Sequence, residues 1–444
     1  MIPTMPVPAM NASPSYWMPF TANRAFRQSP RMLVSASGFQ YRDDRGRELL
    51  DGFSGLWCSG AGHARPRIVE AIREQSGKLD YAIAFQVGHP LAFELAERLC
   101  ALAPDGIEHV FFSNSGSEAV DTALKIALAW HRARGDAGRA RLIGRLRGYH
   151  GVGFGGISVG GIAPNRQAFS AGLLPQTDHL PDTHDRERQA FSRGQPEWGA
   201  ERADALLELI RLHGADSIAA VIVEPVAGST GILPPPKGYL ERLRAICSEH
   251  GILLIFDEVI TAFGRVGDAF ASQRFGVTPD IITTAKGLTN GAVPMGATLV
   301  SREIHDELMQ GPPQAIELFH GYTYSAHPLA CAAALACLDL YDEEDLFRQA
   351  RESESDFEQR LHDLRDLPHV VDIRNFGLMG AIELESRSDA PGARGLDAHI
   401  AAFEQGLVIR NGMDTIQIAP FLAADDEYYD RLFGVLRRVL AELP

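Results

Sequence analysis

The sequence predicts an α/β protein with a mostly parallel sheet between two layers of helices and a second, smaller α+β domain. Two patterns in the chain carry this prediction. Short apolar runs alternate with longer helical patterns through the first three quarters of the chain, as in a parallel sheet with crossover helices. These runs are almost purely apolar, as in strands buried on both faces. With 444 residues, the chain exceeds one hydrophobic core and predicts about two or three domains.

The first elements follow from local signals in the amino-terminal half. Residues 40–56 alternate polar and apolar side chains with turn residues between them, which predicts a hairpin. Residues 109–116 read as a strand that enters a turn, and residues 117–135 have helical periodicity. The polar, aperiodic segment 175–203 predicts a long surface loop.

The middle of the chain has the clearest parallel-sheet pattern. Residues 218–226 and 252–259 are nearly unbroken apolar runs, and between them residues 238–251 form a helical pattern that ends at Gly251. A glycine directly after a helical pattern is a common helix end. Strand, helix and strand in this order predict neighbouring parallel strands.

The carboxy-terminal part differs in pattern from the centre. Long amphipathic helices dominate from residue 328, and polar and apolar residues mix near 370–384 and 405–418. This predicts the smaller α+β domain. The predicted division is an amino-terminal arm with part of the small domain (1–58), a large cofactor-binding domain (59–327) and a carboxy-terminal small domain (328–444).

Composition and charge exclude several classes of function. The net charge is −15, from 42 basic and 57 acidic residues, and no basic block is present. This argues against nucleic acid or an anionic membrane as a partner. No apolar run is long enough to span a bilayer, and the first residues lack the pattern of a signal peptide. Five scattered cysteines without metal-type spacing favour a cytoplasmic protein and no metal site.

A turn between a strand and a helix is the first candidate site. Ser115, Gly116 and Ser117 lie at the start of the predicted helix, where free backbone N–H groups and a partial positive charge suit a phosphate. The serines add hydroxyl donors. The alternative is a simple capping box formed by Ser115 and Glu118, and the sequence leaves these two interpretations equally favoured.

An acid and a lysine follow two of the buried strands. Asp257 ends the apolar run 253–257, at the edge of the sheet where open α/β proteins bind ligands. Lys286 follows the uncharged strand pattern 281–285 with few charges nearby, which favours a lowered pKa and a nucleophilic amine. Taken singly, Asp257 could instead cap a helix or, with Glu258, bind Mg²⁺, and Lys286 could be an ordinary surface lysine.

A glycine-rich segment adds two further candidates. Tyr149, in the turn 148–151, could stack on a planar cofactor, although core packing is the more common role of tyrosine. Residues 151–156 match the G-x-G-x-x-G pattern of dinucleotide-binding proteins. We reject that interpretation because the preceding residues are basic rather than a clean strand and the following ones do not continue as a helix.

Together these motifs resemble those of a known family. The strand–Ser-Gly-Ser–helix turn, Gly-Tyr-His-Gly (148–151), Glu-Pro-Val (224–226), Phe-Asp-Glu-Val (256–259) and Thr-Ala-Lys-Gly (284–287) occur in one order. In this order they resemble the class III (ω-) aminotransferases of fold type I, which use pyridoxal 5'-phosphate (PLP) in an aspartate aminotransferase-like fold. Residues 17–24, Trp57 and Arg410 are most similar to the subgroup that uses ω-amino acids or amines with pyruvate, such as β-alanine:pyruvate aminotransferase.

The resemblance implies a role for each cofactor residue. Lys286 would form the Schiff base with PLP and move the substrate proton, and Asp257 would keep the pyridine nitrogen protonated. Thr323 would reach the phosphate of the neighbouring subunit's cofactor, with Tyr322 close by. The other implied cofactor contacts are Ser115, Gly116 and Ser117 at the phosphate, Tyr149 and Val259 on the two ring faces, and Glu224 near the phenolic oxygen.

The resemblance also implies a substrate pocket. Arg410 would bind the carboxylate of the keto acid, since a guanidinium matches it with two parallel hydrogen bonds; the alternative is a surface arginine. The remaining implied lining residues are Phe20, Trp57, Phe85, Val152 and Ala227. Ornithine- and GABA-type members carry a glutamate that pairs with this arginine, whereas this chain has Ser229 there. The missing acid favours pyruvate over 2-oxoglutarate.

The expected function is therefore transfer of an amino group from an ω-amino acid or amine to pyruvate, by a ping-pong reaction at Lys286. The resemblance further implies a homodimer or homotetramer with shared active sites. A PLP-dependent aminomutase or decarboxylase of the same fold is the first alternative. A nucleotide-dependent oxidoreductase without PLP is a more remote one.

Overall fold

The computed structural model describes residues 12–444. The amino-terminal segment contains α1 (Asn23–Gln28), β1 (Leu33–Ser37), β2 (Gln40–Asp43), β3 (Glu48–Asp51) and the distorted turn α2 (Ser54–Trp57). The central segment contains α3 (Pro66–Lys78), α4 (Pro90–Leu102), β4 (Ile107–Ser113), α5 (Gly116–Ala133), β5 (Arg141–Arg145), α6 (Phe154–Val159), α7 (Ala163–Ala168), β6 (Thr177–Leu180), α8 (Arg186–Gln189), α9 (Ala205–His213), β7 (Ile218–Val223), α10 (Tyr239–His250), β8 (Leu253–Asp257), α11 (Ala271–Phe275), β9 (Ile281–Thr284), β10 (Gly296–Ser301) and α12 (Arg302–Leu308). The carboxy-terminal segment contains α13 (Pro328–Glu343), α14 (Leu346–His362), β11 (Val370–Phe376), β12 (Met379–Leu384), α15 (Ala393–Glu404), β13 (Leu407–Val408), β14 (Arg410–Gly412), β15 (Thr415–Ile418) and α16 (Asp426–Glu442).

The central segment forms a seven-stranded sheet in the order β4-β10-β9-β8-β7-β5-β6. Strands β9, β8, β7, β5 and β6 are parallel, and β10 runs antiparallel to both β4 and β9. Every residue of β7, β8 and β9 is buried, which explains their unbroken apolar pattern. The mostly parallel α/β fold predicted from the sequence is confirmed.

This topology brings four strand ends to one edge of the sheet. Because β10 is antiparallel to both of its neighbours, β4 points in the same direction as β7, β8 and β9. Ser113, Val223, Asp257 and Thr284 therefore end their strands on the same side. Ligands of open α/β sheets bind at this carboxyl edge.

Two smaller sheets lie outside the central sheet. One has the order β1-β2-β3-β13, in which carboxy-terminal β13 pairs in parallel with β3 of the amino-terminal segment. The other is antiparallel, in the order β11-β12-β15-β14. The smaller α+β unit is therefore built from both ends of the chain. The domain boundaries at residues 58 and 327 remain predictions.

Helices α13 and α16 hold the carboxy-terminal segment to the rest of the protein. Nearly all of α13 is buried, and it packs on α3 and α4. Helix α16 buries one face, including Leu432, Leu436 and Leu440. Helix α16 packs on α14 and α15, and Tyr428 in it donates to the Asp51 carbonyl of the amino-terminal segment at 2.8 Å. Each leucine fully removed from water contributes roughly 1.5–3 kcal/mol to the stability of this unit.

Two predictions about the central segment were wrong. Segment 175–203 is not one long loop, because it contains β6 and α8. Strand β6 escaped prediction because it lies at the sheet edge and only Leu180 is fully buried. The basic residues 141–145 form strand β5, in which Arg141 pairs with Asp178 and Arg145 donates to the Glu224 carbonyl at 2.8 Å.

Both grounds for rejecting a dinucleotide site at residues 151–156 were also wrong, since β5 precedes that segment and α6 begins within it. A different ground remains. Residues 146–150 separate the strand from the glycine run, whereas the dinucleotide motif begins where the strand ends.

Among residues 12–444, no helix combines the length and the apolar character needed to cross a membrane.

Candidate active site

Two adjoining cavities lie at the carboxyl edge of the central sheet. The smaller one, of about 150 Å³, is lined by Gly116, Ser117, Tyr149, His150, Gly151, Glu224, Asp257, Val259, Ile260, Ala285 and Lys286. The larger one, of about 550 Å³, is lined by Pro19, Phe20, Leu56, Trp57, Tyr149, Ile162, Asn165, Ser229, Lys286, Arg410 and Asn411. Tyr149 and Lys286 line both cavities. A group bound in the first cavity would thus meet a molecule in the second at these two residues.

Asp257, the last residue of β8, is buried and held by three neighbours. Its Oδ2 lies 2.8 Å from His150 Nδ1, and its Oδ1 accepts hydrogen bonds from Thr283 Oγ1 at 3.1 Å and the Val259 N–H at 3.2 Å. A buried carboxylate is costly unless it meets donors or a cation. The arrangement fixes the carboxylate at the wall of the smaller cavity and suits a protonated ring nitrogen.

Lys286 follows β9 and places its amine where the two cavities meet. Burial lowers the pKa of the Lys286 amine, while nearby Asp257 and Glu224 act in the opposite direction. Its φ of +45° is a strained conformation for a lysine, and such strain concentrates at functional sites. A lysine whose pKa is lowered in this way can act as a nucleophile and as a base.

The first turn of α5 borders the smaller cavity. Gly116 and Ser117 line it, and a Cβ at Gly116 would lie 2.9 Å from Val259 Cγ2. The glycine therefore allows close approach to the backbone at the start of an 18-residue helix, where a phosphate is favoured. Ser115 instead caps the helix: its Oγ accepts from the Glu118 N–H at 3.2 Å. The phosphate and capping interpretations thus apply to different residues of the same turn.

Glu224 fixes the loop that carries Tyr149. One carboxylate oxygen accepts from the Tyr149 N–H at 2.8 Å, and the other accepts from the Gly228 N–H at 3.0 Å. Burial raises the pKa of the Glu224 carboxyl. Burial also raises the pKa of the Tyr149 hydroxyl, so the ring stays neutral at the junction of the cavities.

Trp57 and Arg410 form one side of the larger cavity. The Trp57 ring is buried and lies 5.7 Å from Lys286 Nζ and 5.3 Å from the Arg410 guanidinium. Within residues 12–444, no carboxylate forms an ion pair with Arg410, and residues 1–11 contain no acid. Burial lowers the pKa of the Arg410 guanidinium, a cost that an incoming anion would offset.

Most of the predicted site residues meet at the two cavities, and six do not. Ala227 is buried and lines neither cavity, and its backbone pairs with that of Leu233. Val152 is exposed, and its N–H donates to Ser117 Oγ at 3.1 Å. The other predicted residues outside the linings of the two cavities are Ser115, Phe85, Tyr322 and Thr323. Phe85 and Thr323 are exposed.

Sequence reasoning missed several lining residues, among them His150, Ile162, Asn165 and Leu56. The position of His150 beside Tyr149 was a usable signal, because a histidine in a glycine-rich turn is a candidate partner for the acid at a neighbouring strand end. The others lie in segments without a recognisable motif.

Two clusters of possible metal ligands lie away from these cavities, in the part of the chain described. Asp372 and Glu383, which lie near His184, are both paired with Arg374, so a guanidinium already occupies that cluster. His109 and His305 stack with their ring centroids 3.5 Å apart beside Asp306. The prediction of no metal site is not tested by these observations.

The smaller cavity fits pyridoxal 5'-phosphate in its donor chemistry. It offers an amine for the aldehyde, a buried carboxylate for the ring nitrogen and a helix start with Ser117 for the phosphate. Gly116 leaves the space that a Cβ would fill. The fold and site together define a PLP-dependent enzyme of fold type I.

Comparison with known proteins places the chain more narrowly. Residues 21–440 match the family Aminotransferase class-III, and the chain belongs to this family. It is 58% identical over 439 residues to the Omega-aminotransferase of Caulobacter vibrioides, covering 99% of this chain and 100% of that protein. It is 51% identical over 429 residues to the Beta-alanine--pyruvate aminotransferase of Pseudomonas aeruginosa, with 96% and 95% covered.

A solved structure agrees with this placement. An amine transaminase from an uncultivated Pseudomonas species, in its PLP-bound form, superposes with a TM-score of 0.90 at 35% identity, covering 98% of this chain and 100% of that one. The protein is therefore a PLP-dependent aminotransferase, and its substrates are an amine and a keto acid. The aminotransferase hypothesis is confirmed; nothing in the comparisons supports the oxidoreductase, aminomutase or decarboxylase alternatives.

Proposed function

We propose that this enzyme transfers an amino group from an ω-amino acid or amine to pyruvate. The observation that carries the proposal is the Arg410 guanidinium, which lines the larger cavity without a carboxylate partner in residues 12–444, with Ser229 also in the lining. An acid paired with the arginine would permit a glutamate-linked cycle by masking its charge. The unmasked arginine favours a small keto acid, as do the relatives named for β-alanine and pyruvate.

PLP, when bound, supplies the electron sink that stabilises charge on the substrate carbon. Lys286 would carry it, with Gly116 and Ser117 at the phosphate and Tyr149 and Val259 on the ring faces. Glu224 would organise the strand end near the phenolic oxygen. These roles rest on the common lining of one cavity.

Asp257 would hold a proton on the ring nitrogen. Its three hydrogen-bonded neighbours fix the carboxylate, so no reorientation is needed when the ring enters. Because the group is buried, its interaction with a cationic N–H is stronger than it would be in water.

Lys286 Nζ would accept the proton from the carbon that bears the amino group. Burial lowers the pKa of this amine, which raises the fraction that is free base near neutral pH. The Trp57 ring and the apolar side chains of the larger cavity would exclude water from this proton transfer.

Arg410 would bind the carboxylate of pyruvate, and it would swing away when a carboxylate-free amine occupies the cavity. An Arg410→Ala variant should lose most of its rate with pyruvate, because the other basic side chain of the described lining, Lys286, is committed to the cofactor and the proton transfer. An Arg410→Ala enzyme with unchanged kcat/KM for pyruvate would contradict this role.

The assembly and cellular location are also proposals. We infer a homodimer or homotetramer, in which Phe85, Tyr322 and Thr323 complete the neighbouring subunit's active site. The domain division at residues 58 and 327 and a cytoplasmic location are proposed on the sequence evidence given above.

The reaction itself has a direct test. The PLP form is mixed with β-alanine and pyruvate, and the keto product and alanine are quantified. The proposal expects equal amounts of both. Consumption of the donor without alanine formation would contradict it.

A further inference from the structure

The larger cavity has a polar side that the assigned roles leave partly unexplained. Its lining is apolar at Pro19, Phe20, Leu56, Trp57 and Ile162. Besides the Tyr149 hydroxyl, three neutral polar side chains break this pattern, Asn165, Ser229 and Asn411. The Asn411 amide already donates to the Met413 carbonyl at 3.2 Å. Neither the Asn165 amide nor the Ser229 hydroxyl makes a hydrogen bond within the described residues 12–444; only the Ser229 carbonyl does, accepting from Gln417. Their hydrogen-bonding capacity is left for a molecule in the cavity.

Asn165 is held in place by its own helix. It belongs to α7, and the next residue, Arg166, ties this helix to α6 through hydrogen bonds from Nη1 to the carbonyls of Ile157, Ser158 and Gly160. Ile162 and Asn165 also line a narrow crevice beside Tyr149 and His150. The amide is therefore presented from a fixed backbone, and fixed groups discriminate between ligands better than mobile ones.

The two substrates of the proposed function carry their carboxylates at different places. In pyruvate the carboxylate is attached to the reacting carbon. In β-alanine one more carbon lies between the reacting carbon and the carboxylate. With the reacting carbon held at Lys286, the Arg410 guanidinium in one position cannot meet both carboxylates.

We propose that Asn165, together with Ser229, binds the distal carboxylate of an ω-amino acid donor, while Arg410 binds the carboxylate of the keto acid. This inference rests on the proposed function and names its donor class. Two neutral donors beside a cation suit a carboxylate better than they suit a second ammonium group. Asn165 is thus a specificity-determining residue for the donor half of the reaction.

The test compares two donors in single half-reactions. β-Alanine and 3-methylbutylamine have the same branched shape, but only β-alanine carries the carboxylate. Conversion of the PLP form is followed by absorbance for the wild type and for Asn165→Leu. The substitution should lower the ratio of the β-alanine rate to the 3-methylbutylamine rate about ten- to a hundredfold, since it removes a hydrogen bond to a charged group.

Two further variants make the result decisive. Asn165→Asp should lower the rate with β-alanine through like-charge repulsion and raise the relative rate with 1,3-diaminopropane. Ile162→Ala changes an apolar side chain in the same wall of the cavity and removes no hydrogen-bonding group. It should therefore alter the rates with β-alanine and 3-methylbutylamine by similar factors. The second half-reaction is followed by adding pyruvate to the aminated enzyme. Arg410→Ala should slow this step, and Asn165→Leu should not share that loss.

The outcomes separate this inference from the function on which it rests. A wild-type enzyme that gives no alanine with any ω-amino acid or amine would overturn the proposed function. An active wild type whose donor ratio is unchanged in both Asn165→Leu and Asn165→Asp would overturn the role of Asn165 alone. A loss shared equally by both donors would assign Asn165 a merely structural role and would also overturn the inference.

Discussion

At the scale of single residues, the orientation of Asp257 depends on His150, a member of the Gly-Tyr-His-Gly motif for which no role was predicted from the sequence. His150 is buried, and its Nδ1 lies 2.8 Å from Asp257 Oδ2. With Nδ1 donating, His150 is a positioning residue that acts through the carboxylate. His150 Nε2 is also buried and has no partner in the described residues, so the ring is committed to Asp257.

We expect His150→Ala to lower kcat about ten- to a hundredfold and to weaken cofactor binding, because one oxygen of a buried carboxylate loses its partner. The measurement is kcat together with the Kd of PLP, determined by titrating the cofactor-free enzyme. His150→Asn supplies an amide donor near the position of Nδ1 and should restore most of both values. Equal losses in the Ala and Asn variants would indicate a packing role instead.

His184 is a second residue whose surroundings have a measurable consequence. Burial and the charges of Arg374 and Arg147 lower its pKa to about 3, against the opposing effects of Glu383 and Asp185. Arg374 Nη1 lies 3.4 Å from its Nε2, and Asp372 lies 3.8 Å away. The folded protein therefore keeps this imidazole neutral under conditions in which the unfolded chain would protonate it.

The predicted consequence is a loss of stability in mild acid. The unfolded chain binds a proton at His184 below about pH 6.5, whereas the folded protein binds it only near pH 3, so acidification between these values favours unfolding. This residue alone should cost about 2 kcal/mol between pH 7.5 and pH 5. His184→Gln should show a flatter pH dependence of the thermal midpoint. A wild-type slope in the variant would contradict the assignment.

At the scale of secondary-structure elements, β5 and α6 approach so closely that only glycine fits between them. A Cβ at Gly144 of β5 would lie 1.8 Å from the carbonyl oxygen of Val159, the last residue of α6. The contact is with backbone, which cannot move aside as a side chain can. This contact positions α6, to which α7 and Asn165 are tied.

Gly144→Ala should therefore destabilise the protein by more than 3 kcal/mol or prevent it from accumulating as a folded chain, since overpacking against backbone costs at least as much as overpacking a core. Thermal unfolding of the purified variant and its soluble yield are the measurements. Gly138→Ala is the matched control, because no atom lies within 4 Å of its added Cβ. A Gly144→Ala protein with the wild-type midpoint would contradict the packing argument.

Elements buried on both faces were the ones that the sequence predicted well. Strands β7 and β8 are uniformly apolar because helices cover both sides, and Asp257 was locatable because it ends such a run. Strands β5 and β6 were missed because their charged and polar side chains are satisfied by ion pairs or solvent near the sheet edge. The local periodicity of the sequence does not indicate such partners, so it did not predict these two strands.

The substrate side of the site was less predictable for a related reason. Asn165 and Ser229 belong to segments far apart in sequence that meet only across a cavity, so neither forms a local pattern. Ala227 was expected in the lining but is buried outside both cavities, where its backbone pairs with Leu233. This pairing joins two parts of one loop and has no signal in the local sequence pattern.

At the scale of the whole molecule, two neighbouring segments carry several exposed large apolar side chains. Segment 81–93 touches segment 319–324, with the Tyr81 hydroxyl donating to the Thr323 carbonyl at 3.0 Å and Phe85 against Gly321. Their exposed large apolar side chains are Tyr81, Ile83, Phe85, Val87, Phe93, Phe319 and Tyr324. Exposed apolar side chains grouped in this way suit the subunit interface proposed above, and Thr323 lies among them.

Ile83→Glu should therefore separate the proposed subunits, because it places a charge in the apolar surface where Ile83 is 58% exposed. We expect a monomer by light scattering, weaker PLP binding and little activity, since Thr323 of the partner subunit would no longer reach the phosphate. Leu212→Glu is the matched control: Leu212 is 73% exposed on α9, apart from this surface, and this variant should keep its assembly and rate. A fully active Ile83→Glu monomer would show that each chain completes its own site, whereas activity that returns at high protein concentration would support shared sites.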